Sequence, residues 1–158
     1  MRLFGTDLTG TIPTEFGLLM EMKDLDMNSV WTLSGALPTE LGRLTRMTKL
    51  SVYGNLLTGT IPTELGLLTN MIVIMLGAAN ANDNRLTGTI PTELGLLTTV
   101  TQLGLRGSLL TGTLPTELGL LSLMKNFQAS DNHLQGTLPT ELDLLTGLTL
   151  SWTFQVSG

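Results

Sequence analysis

The sequence predicts an α/β repeat solenoid, on three observations: one block recurs six times along the 158 residues, a short alternating apolar segment accompanies it, and each copy passes through proline into a Thr-Glu turn. The blocks start at Leu8, Leu33, Leu57, Leu86, Leu110 and Leu134. The third reads Leu57-Thr58-Gly59-Thr60-Ile61-Pro62-Thr63-Glu64-Leu65-Gly66-Leu67-Leu68-Thr69, and the fourth repeats it residue for residue from Leu86 to Thr98. Starts lie 25, 24, 29, 24 and 24 residues apart, which confines the irregularity to one extra residue near Val30-Trp31 and five from about Gly77 to Asp83. Residues 1–158 are expected to form a single domain of about six repeats without recognisable caps.

Each element follows from its own residues. Apolar alternation, as in Leu50-Ser51-Val52, Leu103-Gly104-Leu105 and Phe127-Gln128-Ala129, predicts one short strand per turn with one face on the core. Asn55, Asn84 and Asn132 stand two residues before their blocks, where Trp31 and Ser108 take the place in two others. A buried Asn there can bond backbone groups of neighbouring turns that no strand ladder satisfies. Pro13, Pro38, Pro62, Pro91, Pro115 and Pro139 end the next extended stretch, and the Thr after each is expected to cap a short helical turn. Glu15, Glu40, Glu64, Glu93, Glu117 and Glu141 then sit in the first turn, where the helix dipole favours them. Met22, Met47, Met71 and Met124 share one repeat position with Val100 and Leu148 and read as a core ladder.

Together, Leu-x-x-Leu-x-Leu-x-x-Asn followed by Leu-Thr-Gly-Thr-Ile-Pro-Thr-Glu-Leu-Gly-x-Leu closely resembles the plant-type leucine-rich repeat, a class also widespread in algae. The resemblance covers nearly the whole chain. It implies a right-handed curved solenoid with a parallel concave β-sheet, a second extended segment at Leu-Thr-Gly-Thr-Ile-Pro, and short helical or 3-10 turns on the convex side. It also implies an extracellular or cell-surface recognition module. The chain departs from the family's receptor ectodomains in having no cysteine and no Asn-x-Ser/Thr sequon, and its first residues do not read as a signal peptide.

Composition narrows the function classes. With charged residues at 13% and a formal charge of −5, the chain has no basic footprint for phosphate backbones, and nucleic acid is not an expected partner. Zero cysteines remove disulfides and thiolate metal sites. The longest apolar run, Met71 to Leu76, is far too short for a membrane span. Asn80, Asn82 and Asn84 alternate as in a calcium loop, but the twelfth position is Pro91 rather than a bidentate Glu, so no metal is expected. His133 is the single histidine, and Ser130 and Asp131 lie too close to it in sequence to make a triad. Without paired catalytic carboxylates or a phosphate loop, the sequence predicts no enzyme, no catalytic residue and no cofactor.

Function is therefore sought on surfaces. Strand alternation places Asp24, Asp26 and Asn28, then Lys49, Ser51 and Tyr53, then Val73, Met75 and Gly77 outward on the concave side. Gln102, Gly104 and Arg106 follow, then Asn126, Gln128 and Ser130. These positions vary while the frame repeats, which suits recognition of a protein, peptide or glycan centred near Tyr53, Val73, Met75 and Arg106. A second reading uses the threonines. If Leu-Thr-Gly-Thr-Ile is a continuous strand, Thr9, Thr58, Thr87 and Thr111 form one outward rank and Thr11, Thr60, Thr89, Thr113 and Thr137 another. With strands about 4.8 Å apart and side chains about 6.7 Å apart along them, this is a flat grid, interrupted by Ser34, Ala36 and Gln135. It resembles the Thr-x-Thr arrays of ice-binding antifreeze solenoids. A third expectation is end-to-end self-association through apolar edges.

Overall fold

The computed structural model describes residues 1, 8–28, 30, 32–77 and 84–148. Most of the segment read as an insertion, 78–83, lies outside the described residues, as do Ser29 and Trp31. Ten short strands and six 3-10 helices alternate along the described chain. Strands β2 (Asp24–Asp26), β4 (Lys49–Ser51), β6 (Val73–Met75), β7 (Gln102–Gly104) and β9 (Asn126–Gln128) form one parallel sheet in that order, on the concave side. Its register pairs equivalent positions: Leu25 with Leu50, Leu50 with Ile74, Ile74 with Leu103, and Leu103 with Phe127. All five of these central residues are buried, so each strand contributes one apolar rung to a continuous core.

The second extended segment carries β1 (Gly10–Thr11), β3 (Leu33–Gly35) and β5 (Leu56–Leu57) in one parallel sheet and β8 (Thr111–Gly112) with β10 (His133–Leu134) in another. A parallel bridge between Thr60 and Thr87 joins the turns between them. The convex side is a stack of 3-10 helices, Thr14–Leu18, Thr39–Arg43, Thr63–Leu67, Thr92–Leu96, Thr116–Leu120 and Thr140–Leu144. One turn of the stack comprises a block, its 3-10 helix and the concave strand that follows.

The helical turns start differently from the sequence expectation. Proline itself takes the cap position in extended geometry, and no side chain caps the helix. The threonine is the first helical residue, and its hydroxyl donates to the next residue's carboxylate, as from Thr63 to Glu64 Oε2 at 3.4 Å. The one-turn 3-10 helix is closed by Leu65 N–H donating to Pro62 O, and proline, with no polar side-chain atom, offers no capping acceptor to the first turn.

The asparagine expectation matches the geometry. Asn84 donates to Val52 O, Leu76 O and Gly77 O while its Oδ1 accepts from Leu57 N. Asn132 repeats this with Leu105 O, Ala129 O, Ser130 O and Leu110 N, and Asn55 donates to Met27 O and Val52 O. Met47, Met71, Val100 and Met124 are buried in one ladder, and Met22 and Leu148 pack half-buried at its two ends.

Candidate functional site

The concave face is built from side chains that leave the sheet on the side away from the core. The register lines them up as rows across the turns: Asp24, Lys49, Val73, Gln102, Asn126, and beside it Asp26, Ser51, Met75, Gly104, Gln128. Asn28, Tyr53, Gly77, Arg106 and Ser130 lie two residues further along.

Not all of these positions are open. Asp26 and Ser51, read from the sequence as outward residues of a binding face, are 2% and 1% exposed. The Lys49 ammonium pairs with Asp26 Oδ2, and Ser51 Oγ donates to Asn28 Oδ1 at 2.7 Å, which also accepts from Tyr53 N. Thr48 Oγ1 donates to Asp24 Oδ1 at 3.0 Å. The polar groups of turns 1 and 2 thus pair largely with one another, as burial of charges and hydroxyls favours, while Asp26 Oδ1 is buried without a hydrogen-bond partner. Gly104 is also buried, because the Met75 side chain lies over it.

The open part begins at turn 3. Val73 and Met75 are half-buried in a face whose other outward side chains are polar, and the absence of a side chain at Gly104 leaves Met75 room to lie flat. Gln102 and Arg106 are exposed, Asn126, Gln128 and Tyr53 half-buried, and Arg106 Nε reaches Asp131 Oδ2 at 2.7 Å. An apolar saddle at Val73–Met75 is therefore flanked by ion-paired groups toward turn 1 and by amides toward turn 5.

A shallow trough of about 530 Å³ runs beside this sheet, lined by Lys23, Arg46, Thr48, Asn70, Ile72 and Thr99. Its residues belong to the bend before each strand, and Ile72 is 45% exposed. Strand periodicity does not reach this bend, so alternation has no means of assigning its direction. The 3-10 helices end in another unforeseen surface, since Leu18, Leu67, Leu96, Leu120 and Leu144 are exposed as a convex ladder that Arg43 interrupts.

All nine threonines of the second surface, Thr9, Thr11, Thr58, Thr60, Thr87, Thr89, Thr111, Thr113 and Thr137, are exposed. Their arrangement is not the rectangular grid expected from continuous strands. The bridge pairs Thr60 with Thr87, and Thr11 pairs with Ser34, so successive turns slip by two residues relative to the repeat. Gly88, at φ +77°, explains the slip: a Cβ built there would stand 2.9 Å from Thr60 Cγ2, so the methyl of one turn seats on the glycine of the next. The two ranks merge into one staggered band, in which turns 3 to 5 contribute Thr58, Thr60, Thr87, Thr89, Thr111 and Thr113.

No family model matches the chain, and a comparison with curated sequences finds no match. Solved structures do. A plant peptide hormone receptor, RGFR1 in complex with RGF2, is 35% identical with a TM-score of 0.81 over 89% of this chain. The Arabidopsis receptor kinase HAESA, in complex with the peptide hormone IDA and the co-receptor SERK1, is 29% identical with a TM-score of 0.84 over 93%. A plant ice-binding protein is 29% identical with a TM-score of 0.77 over 85%. The chain spans 22%, 24% and 42% of the lengths of these three proteins. The repeat, the parallel concave sheet, the buried asparagines and these likenesses agree: the chain is a leucine-rich-repeat protein of the plant type.

Proposed function

We propose that the chain is a non-enzymatic binding module that recognises a protein or peptide through its concave face, with Tyr53, Val73, Met75 and Arg106 at the contact. The observation that carries this reading is the Val73–Met75 saddle, a half-buried apolar strip among outward side chains that are otherwise polar. Such a strip suits one apolar side chain of an extended ligand, with Gln102, Asn126 and Gln128 available to its backbone. Similarity to receptors solved with peptide hormones accords with it, as does an extracellular setting. Among the described residues no helix is long and apolar enough to cross a membrane.

The test is selection of a displayed peptide library on the chain, followed by titration against Met75→Asp and Tyr53→Ala. Selected peptides should weaken at least about tenfold on both variants, as loss of a buried contact of about 1.4 kcal/mol requires. Undiminished binding to both variants sinks the reading.

A second reading has its own observation. The band Thr58, Thr60, Thr87, Thr89, Thr111, Thr113 is exposed, with Arg85 at its edge opposite Thr58, and one similar structure is a plant ice-binding protein. On this reading the chain binds ice through that band and shows thermal hysteresis that Thr89→Tyr abolishes. A wild-type chain without hysteresis ends it.

A further inference from the structure

Two kinds of glycine are required by the stack. Gly88 and Gly112 sit at φ +77°, and a Cβ at Gly42, Gly66 or Gly95 would stand 2.5–2.6 Å from a main-chain carbonyl oxygen of the next turn. Gly104 belongs to neither kind. Its backbone lies outside the left-handed region, and a Cβ on it would meet only the far end of Met75, Cε and Sδ at 2.7 Å, with Ile74 O next at 3.8 Å. In its row of the concave sheet Asp26, Ser51, Met75 and Gln128 all carry side chains, and a glycine there weakens the strand. The fold admits a side chain at this position once a single thioether moves. What the glycine preserves is space above the backbone, in the middle of the concave face.

That space has four sides. Register places Met75 on one flank of Gly104 and Gln128 on the other, and alternation along its own strand places Gln102 before it and Arg106 after it. Leu105 N donates to Gln128 O at 2.7 Å, so pairing with turn 5 continues past the end of the strand toward Arg106. Two strand spacings, about 9.6 Å, separate the Met75 and Gln128 backbones, and four residues, about 13 Å, separate Gln102 from Arg106. A flat group packed on both faces needs about 7–8 Å between its neighbours. The opening is therefore a slab, longer along the strand than across it. The end of Met75 lies over its floor, and a side chain with three rotatable bonds moves aside readily.

We infer that Gly104 is the floor of a slot for one aromatic ring of the ligand, which makes it the specificity-determining residue of the concave face. The inference rests on the concave reading and names the apolar side chain which that reading leaves open. Moved aside, Met75 becomes a wall that offers its sulfur to the ring, a contact aliphatic side chains do not share. Arg106, held to Asp131 Oδ2 at 2.7 Å through Nε, brings its guanidinium to one end of the slot, where the ring quadrupole attracts it. With the Gln102 and Gln128 amides completing the walls, a branched aliphatic group finds no wholly apolar lining, whereas a ring tolerates polar groups at its edge.

Peptides selected from a displayed library on the whole chain test this, each titrated against wild type, Tyr53→Ala, Gly104→Ala and Gly104→Val. Binders should share one phenylalanine, tyrosine or tryptophan at a fixed position, and its replacement by leucine should weaken binding to wild type at least about tenfold. Gly104→Val should weaken the aromatic peptide by as much, bind it and its leucine counterpart alike, and melt no lower than wild type. Gly104→Ala, whose Cβ meets only the end of Met75, should weaken the aromatic peptide at least about threefold and carries the comparison if valine lowers the melting temperature. In protein with methyl-labelled methionine, the aromatic peptide should displace the Met75 resonance and leave that of buried Met71 in place. Binders without a shared aromatic residue, an unmoved Met75 resonance, or Gly104 variants that bind as wild type does overturn the slot. If those same peptides weaken on Tyr53→Ala, the concave reading stands without it. A library that yields no binder, or binders indifferent to Tyr53→Ala and Gly104→Val alike, overturns both.

Discussion

At the scale of single residues, what matters is where each polar group finds its partner. Asn84 is 1% exposed and makes four bonds to three neighbouring segments, so Asn84→Ala removes the partners of the Leu76 carbonyl and the Leu57 amide, while the Val52 and Gly77 carbonyls keep Asn55 Nδ2 and Gly54 N. Orphaning buried groups costs about 1–3 kcal/mol each before relaxation, and urea denaturation should show a loss of at least about 2 kcal/mol. Thr92 occupies a position equally regular in the sequence but holds only an exposed bond to Glu93 at 3.3 Å. Since that hydroxyl caps nothing, Thr92→Ala should change stability by less than about 0.5 kcal/mol in the same measurement. A loss near 1 kcal/mol, about the size typical of a true cap, would contradict the geometry described for these helices.

At the scale of elements, alternation is enough to read the concave sheet, because Leu25, Leu50, Ile74, Leu103 and Phe127 sit at the centres of strands that pair in register. It does not reveal that Asp26 and Ser51 are buried, since their cover comes from partners about one repeat away, Lys49 and Asn28, and pairing across turns has no signature in a single strand. The threonine band is legible by residue and not by register. A left-handed glycine in the middle of Thr-Gly-Thr breaks the continuous strand that a flat grid assumes. The slip is directly testable by cross-linking. Paired Thr60 and Thr87 lie within disulfide reach, about 4.8 Å apart across parallel strands, whereas Thr58 and Thr87 are displaced by two residues along the strand, roughly 8 Å apart. Oxidised Thr60→Cys/Thr87→Cys should form the bond quantitatively by mass and thiol titration, and Thr58→Cys/Thr87→Cys should stay reduced. The reverse result would restore the rectangular grid and with it the simpler geometry for an ice surface.

At the scale of the whole molecule, a stack in which each turn touches only its neighbours has stability that depends on position rather than on local bonding. The third and sixth turns make this separable, because their 3-10 helices carry the same two hydrogen bonds. Leu65 N donates to Pro62 O at 3.2 Å and Leu68 N to Leu65 O at 3.1 Å, while Leu142 N donates to Pro139 O at 3.1 Å and Leu145 N to Leu142 O at 3.0 Å. Bond for bond the sixth turn is no weaker. It differs in burial, because no described turn follows to cover it: Ile61 is 3% exposed against 53% for Leu138, and Leu65 is 1% exposed against a half-buried Leu142. If packing between turns holds the stack, the amides of Leu142 and Leu145 should exchange with solvent at least about tenfold faster than those of Leu65 and Leu68, by local opening that leaves the centre folded. If the helical bonds themselves were the main source of protection, the two pairs would exchange at similar rates. Hydrogen exchange on one sample therefore separates the two causes.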